Sequence, residues 1–415
     1  MAYGDTPYDK DLMRDWAAFC DKLKAAGQRV FKDANPATAE QRVDGFRYLT
    51  QNLGQAFELS LETRNTKYPR LLPFCTPTRK LGGDNADCTY IQAWIDGESV
   101  YRISGKKGTA RMWNIAVQGP RSAVSEYNPK SRTLFDPFGD KPEVNIFGED
   151  IKENWDGTFE LYIGGEKRGP NWLPTTKDSR KLFLRQYFDR WDEEAAEYRI
   201  ERVGMDTPRP LPTPREMGDA IKWAGDFVYN CVDFWPEWTW GLRNVADPDH
   251  DPGHRLTNFN DFDEDMKLDA RRGRAAANIW WDLRPDEALY LEFDDPRNFW
   301  MITAEAAFAN SLDFLYRNVS YTPSRTAVDG DGKIRLLMSK DDPGYWNWID
   351  NQGYAAGFMT FRNIKAPALP QITTKVIKFA DAARYMHPSS RKATPADRVQ
   401  QLQDRFQAIL RRYRI

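Results

Sequence analysis

Histidine and cysteine are scarce in this chain, and each scarcity closes off chemistry. Its 415 residues include 3 His and 4 Cys. Cys20, Cys75, Cys88 and Cys231 are scattered with no CxxC pair. Reduced thiols in a cytoplasmic protein are therefore the expected state. An excess of either charge is also lacking. Lys and Arg number 59 against 61 Asp and Glu, a formal net charge of −2. That argues against a nucleic-acid partner, which requires a basic surface to neutralise phosphates. No run approaches the apolar length that spans a bilayer, so no membrane association is expected. The charged start of the chain has no apolar core of a secretory signal. There is no GxSxG elbow, no GxGxxG after a strand and no GxxxxGK[ST] loop. No cofactor is expected on that basis.

What the chain does contain is a repeat. Asp156-Gly157 opens a strand-like run, Phe159 to Ile163, followed by Asn171-Trp172-Leu173 and Arg185. Asp331-Gly332 opens a second run, Ile334 to Met338, followed at near-equal spacing by Asn347-Trp348-Ile349 and Arg362. Upstream, Glu98 to Tyr101 precedes Met112-Trp113, and Glu287 to Tyr290 precedes Phe299-Trp300. A period of about 180 residues is too long for a solenoid and fits a tandem duplication. Short strands punctuated by Gly and Asp-Gly turns read as antiparallel sandwiches, with a jelly roll as the favoured form. The fold class is thus mainly β with helical additions. The expected parts are N-terminal helices over 1–72 and a first sandwich over 73–200. A Pro-rich linker and helix over 201–278, a second sandwich over 279–370 and a helical tail over 371–415 complete the chain. In this reading the repeated Asn-Trp is a buried corner with Asn bonding loop backbone, and Arg185 and Arg362 each tie a nearby loop.

The helices have start signals. Thr38 with Gln41, and Thr213-Pro214-Arg215-Glu216, have the spacing of capping boxes, Asn35-Pro36 is an equally good start for the helix at Thr38, and Thr394-Pro395 opens a third helix in the same style. Apolar stripes run through Trp16, Phe19, Cys20 and Leu23, and through Val43, Phe46, Leu49, Leu53 and Phe57. In the last helix the stripe is Val399, Leu402, Phe406, Ile409 and Tyr413, with Arg and Gln on the solvated side.

Two sets of residues resemble a hallmark of the bacterial domain of unknown function 1214 family. One is Gly82-Gly83-Asp84-Asn85 with Tyr90 and Tyr101 to Gly105. The other is Asp156-Gly157, Asn171 to Pro174 and Leu184 to Tyr187, with a variant at Asp342 to Gly344 and Asn347 to Asp350. Ala86 departs from the proline more usual in the family. The resemblance implies jelly-roll-like β-sandwich domains and carries over no catalytic constellation.

Chemistry is harder to place. Gly105 to Thr109 reads as a hairpin turn, and Asp329 to Gly332 as a turn without the closing Glu of a calcium loop. His250 and His254 lie in a Pro- and Gly-containing Asp-rich loop, where a helix cannot align them. That loop is a solvated segment or, alternatively, a metal or acid/base site. The densest constellation is Tyr229 to Trp240. Asp233 and Glu237 sit there among Tyr229, Trp235, Trp238 and Trp240, in the inter-domain segment where ligand sites concentrate. A carboxylate packed on indole would be desolvated and tuned for proton transfer. Asp233, Glu237 and His250 are therefore the expected catalytic residues. Tyr229, Trp235, Trp238, Trp240, Tyr101 and Arg102 are the expected substrate-binding set, with no metal ligands.

The expected activity is a cofactor-independent lyase on a small hydrophobic or aromatic molecule. One concrete version releases formaldehyde from a hydroxymethyl-bearing lignin-type aromatic dimer. A non-catalytic binder of a glycan or terpenoid is one alternative. A metal-dependent hydrolase using His250 and His254 is another. A homodimer is compatible with all three.

Overall fold

In the computed structural model, residues 4–120, 140–243, 260–261, 274–364 and 369–414 are described. Strands of the first half are β1 Leu72–Cys75, β2 Cys88–Trp94, β3 Tyr101–Lys106, β4 Met112–Gly119, β5 Lys141–Phe147, β6 Thr158–Ile163, β7 Trp172–Leu173, β8 Lys181–Tyr187 and β9 Glu197–Arg202. Those of the second are β10 Asn260–Asp261, β11 Arg274–Asp282, β12 Glu287–Asp294, β13 Trp300–Ala306, β14 Asn310–Ser311, β15 Ser320–Tyr321, β16 Lys333–Ser339, β17 Trp348–Asp350, β18 Ala356–Ile364 and β19 Thr373–Lys378. The helices are α1 Asp9–Arg29, α2 Ala39–Phe57, α3 Pro214–Arg243, α4 Ala382–Tyr385 and α5 Pro395–Tyr413.

The repeat is a repeat of topology. The first half has a front sheet in the order β1-β2-β8-β4-β5 and a back sheet β7-β6-β3-β9. The second has a front sheet β10-β11-β18-β13-β14, with β15 also on β13, and a back sheet β17-β16-β12-β19. Thus β2-β8-β4 answers to β11-β18-β13, and β7-β6-β3-β9 to β17-β16-β12-β19. All pairings are antiparallel except β6 with β7 and β16 with β17. The fold is two tandem jelly-roll-like sandwiches, mainly β, with helices added. Each closes on its own core: Ile103, Trp113, Leu161 and Leu184 in the first, Leu291, Trp300, Leu336 and Phe361 in the second. Alternating side chains of a strand face opposite sides of its sheet, so the front sheets have a second face to cover. Helices α1, α2 and α3 cover it, sharing one apolar cluster with Phe74 of the first half and Trp280 and Phe358 of the second.

The Asn-Trp corners are equivalent bond for bond. Asn171 accepts from Lys152 N at 2.8 Å and donates to the Lys152 and Glu160 carbonyls at 2.7 and 3.0 Å. Asn347 accepts from Ala327 N at 2.9 Å and donates to the Ala327 and Arg335 carbonyls at 2.8 and 2.9 Å. Each following Trp donates its indole N–H to the end of the neighbouring parallel strand, Trp172 to Gly164 O and Trp348 to Ser339 O. Both rings are half-buried rather than fully buried.

Several local expectations change. Gly105 to Thr109 is not a hairpin turn: β3 pairs with β6 and β9, while β4 pairs with β5 and β8, so the chain crosses between sheets here. Thr38 caps α2, but Gln41 bonds Ala356 O at 2.7 Å instead of closing a box. Trp16, Val43 and Phe46 are exposed. The buried side of α2 is mixed: Tyr48, Leu49 and Ala56 join the apolar cluster, and Gln41, Asp44, Asn52 and Gln55 are buried beside them. In α5 the stripe holds at Ile409, which is buried in the second core with Tyr413 against it, but not at its start or on its other side. Val399 is exposed, while Arg398, Arg405 and Arg412 are buried. Complete capping boxes do form at Thr213 with Glu216 and at Thr394 with Asp397.

Candidate functional site between the halves

Helix α3 splits the predicted constellation. Positions four apart stack on one face of a helix, and those three apart lie near the same face. Tyr229, Asp233 and Glu237 form one such row, and it faces α1. Asp233 is ion-paired with Arg29 and Lys32, and Glu237 with Lys32. The Tyr229 ring lies under Lys22 at 4.8 Å and Arg29 at 5.8 Å. Glu237 is 55% exposed. Neither carboxylate is packed unpaired against an indole. The aromatic side of α3 points the other way. Trp235 is buried and meets Trp238 edge-on at 5.6 Å. Trp238 meets Phe358 at 5.7 Å, and Trp240 meets Trp280 at 6.0 Å.

Tyr101 and Arg102 are elsewhere. Tyr101 is inside the first sandwich, with its hydroxyl donating to Thr66 O at 2.9 Å. Arg102 is on the back sheet, bonded to Glu201 at 2.9 Å and Glu160 at 2.8 Å. His250 and His254 lie outside the described residues. No cluster of His, Cys, Asp and Glu able to hold a metal occurs among the described residues.

The strand row beneath Trp238 and Trp240 holds what the sequence reading missed. Residues directly opposite in an antiparallel pair share a face. Glu305 of β13 is opposite Phe358 of β18, and Phe358 is opposite Trp280 of β11. Two positions along β18 comes Thr360, opposite Thr303 and Asn278, and next Arg362. Glu305 is thus a fully buried carboxyl beside two aromatic rings. Neither of its oxygens accepts a hydrogen bond. Its nearest cation, Arg362 Nη1, is 3.9 Å away. Burial pushes its pKa up to about 8, with the Arg362 guanidinium pulling against that shift. The Thr239 hydroxyl bonds the Ala307 carbonyl and pins the end of α3 beside this row.

The Gly-Gly-Asp-Asn segment is the strap that brings the first half to this row. Gly82 and Gly83 take φ of 64° and 71°, a left-handed conformation that glycine adopts freely. The turn lets Gly83 N donate to Ala309 O at 2.8 Å and lets Arg362 Nη2 donate to Gly83 O at 2.9 Å. Asp84 accepts from Ser311 N and Oγ at 2.9 and 2.6 Å. Lys80, fully enclosed, donates to the Ser311 and Leu312 carbonyls at 2.7 and 2.6 Å. A Cβ at Gly83 would come 3.4 Å from Glu305 Oε2, so the bare backbone packs directly beside the carboxyl.

The first half contributes a second aromatic group to the same apolar cluster. Phe74, Tyr90 and Phe183 form an edge-packed trio, with Phe74 5.4 Å and Tyr90 6.1 Å from Phe183. The Arg185 guanidinium rests over the Phe183 ring at 4.2 Å. It ties no loop. Arg362 ties a loop of the other half, not of its own.

The family model described as protein of unknown function (DUF1214) matches residues 90–189 and 282–368. Both halves of the chain resemble this family. The two matched stretches fall one in each sandwich, so the DUF1214 pattern recurs with the duplication. A crystal structure of an uncharacterised protein from Burkholderia cenocepacia is similar to this chain over 89% of its length and 99% of that protein's, at 24% identity and a TM-score of 0.78. That likeness is one of fold. A Vibrio parahaemolyticus protein aligns over 86% of this chain and 100% of its own at 12% identity, with a TM-score of 0.41. No curated protein matches the chain.

Proposed function

We propose that this protein is an enzyme that moves a proton on a small hydrophobic or aromatic molecule held between its halves, with Glu305 as the proton carrier. The supporting observation is the Glu305 carboxyl itself: buried, free of hydrogen bonds and raised to about 8. A group that titrates near the working pH can both take and return a proton. Trp238, Trp240, Trp280 and Phe358 supply an apolar surround that strengthens any charge interaction beside it. Arg362 is placed to meet negative charge that develops on the ligand.

A formaldehyde lyase fits these parts. The Glu305 carboxylate takes the proton of a hydroxymethyl group on a lignin-type dimer. The bond from that carbon to the chain breaks and formaldehyde leaves. The released electron pair forms an alkene and expels a phenolate, which Arg362 faces and which the Glu305 proton then neutralises. Asp233 and Glu237, tied to α1, act on the placement of α3 rather than on the ligand.

The test is formaldehyde release from hydroxymethyl-bearing aromatic dimers by the wild type and by Glu305→Gln. Loss of about two to four powers of ten in kcat with an intact fold is expected. Turnover that survives in Glu305→Gln would remove Glu305 from the chemistry. Absence of formaldehyde from every dimer would remove the lyase.

A further inference from the structure

The geometry points to a ligand that carries a negative charge, a carboxylate on an aromatic body being the best match, recognised jointly by Arg185 and Arg362. The inference rests on the inter-half site proposed above and adds the substrate's charge to it. These are the arginines repeated by the duplication, fourteen and fifteen residues after the two Asn-Trp corners. They reach the same place from different halves: Arg185 is opposite Tyr90 in the β2–β8 pair, the Tyr90 hydroxyl accepts from Asn85 N at 3.1 Å, and Arg362 holds the Gly83 carbonyl two residues away at 2.9 Å.

Neither is neutralised by a carboxylate of its own. Arg185 makes no ion pair among the described residues and is only partly covered, its guanidinium lying on Phe183. Arg362 spends Nη2 on the Gly83 carbonyl, and its Nη1 has no hydrogen-bond acceptor. The nearest carboxyl is Glu305, which burial keeps largely protonated at neutral pH. The other charges nearby cancel or are consumed: Asp84 is held by Ser311, and Lys80 is held by backbone carbonyls. The surplus is positive. A guanidinium laid on an aromatic ring keeps its edge N–H groups free for a planar oxyanion. Phe74, Tyr90 and Phe183 give the apolar surface on which the ligand's ring would stack, at no cost in polar desolvation.

A paired-probe titration tests this. 2-Naphthoate and its neutral analogue 2-naphthamide are titrated into the full chain, followed by tryptophan fluorescence and calorimetry. Naphthoate is expected to bind about tenfold or more tightly than the amide, the usual advantage of charge-assisted hydrogen bonds. Arg185→Met and Arg362→Met should each reduce that preference, while amide binding changes little. Arg185→Lys should restore part of it. Melting curves on the same samples separate lost recognition from lost fold. Glu305→Gln should keep the preference for the acid, because it retains both guanidiniums. Equal affinity for acid and amide overturns the inference, as does a preference that survives both methionine variants or an absence of saturable naphthoate binding. If the preference fails while Glu305→Gln still abolishes turnover of a neutral dimer, the proton-transfer reading stands and only the anionic substrate falls. If the preference holds and Glu305→Gln is silent in turnover, the reverse is true.

Discussion

At the scale of single residues, Glu305 and Asp87 are buried carboxyls with opposite fates. Glu305 has Arg362 at 3.9 Å and Lys80 pulling its pKa down, and burial still wins. Its folded pKa, about 8, is above the ordinary 4.5. Between those two values the unfolded chain ionises and the folded chain does not, so stability falls as pH rises. The expected loss is on the order of 5 kcal/mol across that window. Glu305→Gln removes the titration. Its melting temperature should overtake that of the wild type from about pH 5 upward and stay ahead by a constant margin above about pH 8. A gap that does not change with pH would contradict the assignment.

Asp87 is equally buried, and burial works to raise its pKa, but Arg325, Arg405 and Arg412 overcome it and hold the value at about 2. Here the stabilisation is complete above the ordinary carboxylate range and is lost as pH falls through about 2. Asp87→Asn should cost about 3–5 kcal/mol at neutral pH, since it strands buried guanidiniums. In urea titrations that deficit should shrink below about pH 4.

At the scale of elements, the duplicated corners make a paired prediction. Asn171→Ala and Asn347→Ala each orphan the same three backbone groups. Each should destabilise by about 2–3 kcal/mol, and by similar amounts. Chemical denaturation of both variants checks this, and a silent member of the pair would break the equivalence.

These corners were legible in the sequence because Asn, Trp and their spacing recur, and local turn chemistry needs few partners. The helix starts at Thr213 and Thr394 were legible for the same reason. The buried faces of α2 and α5 were not. Gln41 and Asp44 find Ala356 and Asn310 across hundreds of residues, and a sequence stripe cannot name such partners. Arg398, Arg405 and Arg412 look like a solvated face because arginine usually is one. Their spacing of seven, two helical turns, was the available sign. Of the predicted site, α3 does pack between the halves, but its acidic row faces α1. Glu305 left a fainter mark: a lone carboxylate in the apolar run Ile302-Thr303-Ala304-Glu305-Ala306-Ala307-Phe308. An uncompensated charge in such a strand calls for a reason, and that signal went unused.

At the scale of the whole molecule, the two sandwiches are bound into one structure by polar straps as much as by apolar contact. Asp84 reaches Ser311, Asp87 reaches Ser320 and Arg325, and Asp189 reaches Ser324. Helix α5 adds its arginine row. Arg398 grips Asp342 in two bonds of 2.8 and 3.0 Å, Arg405 takes Asn318 and Ser320 O at 3.1 Å, and Arg412 crosses to Asp87 at 3.4 Å. Among the described residues, no helix is long and apolar enough to cross a membrane. With this much shared structure, calorimetry should record one cooperative transition for both halves. Arg405→Met combined with Arg412→Met should split it into two, and two separate transitions in the wild type would refute the coupling.

The arginine row of α5 also sets a clock. Arg412 follows Asp87 by 325 residues. A ribosome adding about 5–20 residues per second delivers it roughly 15–65 s after the aspartate. Until Arg325 arrives, the finished strands of the first sandwich enclose an aspartate with none of the three guanidiniums that will neutralise it, and only Arg412 completes the set. The nascent chain must therefore keep that edge wet, and the first half can finish closing only when translation has almost reached its end.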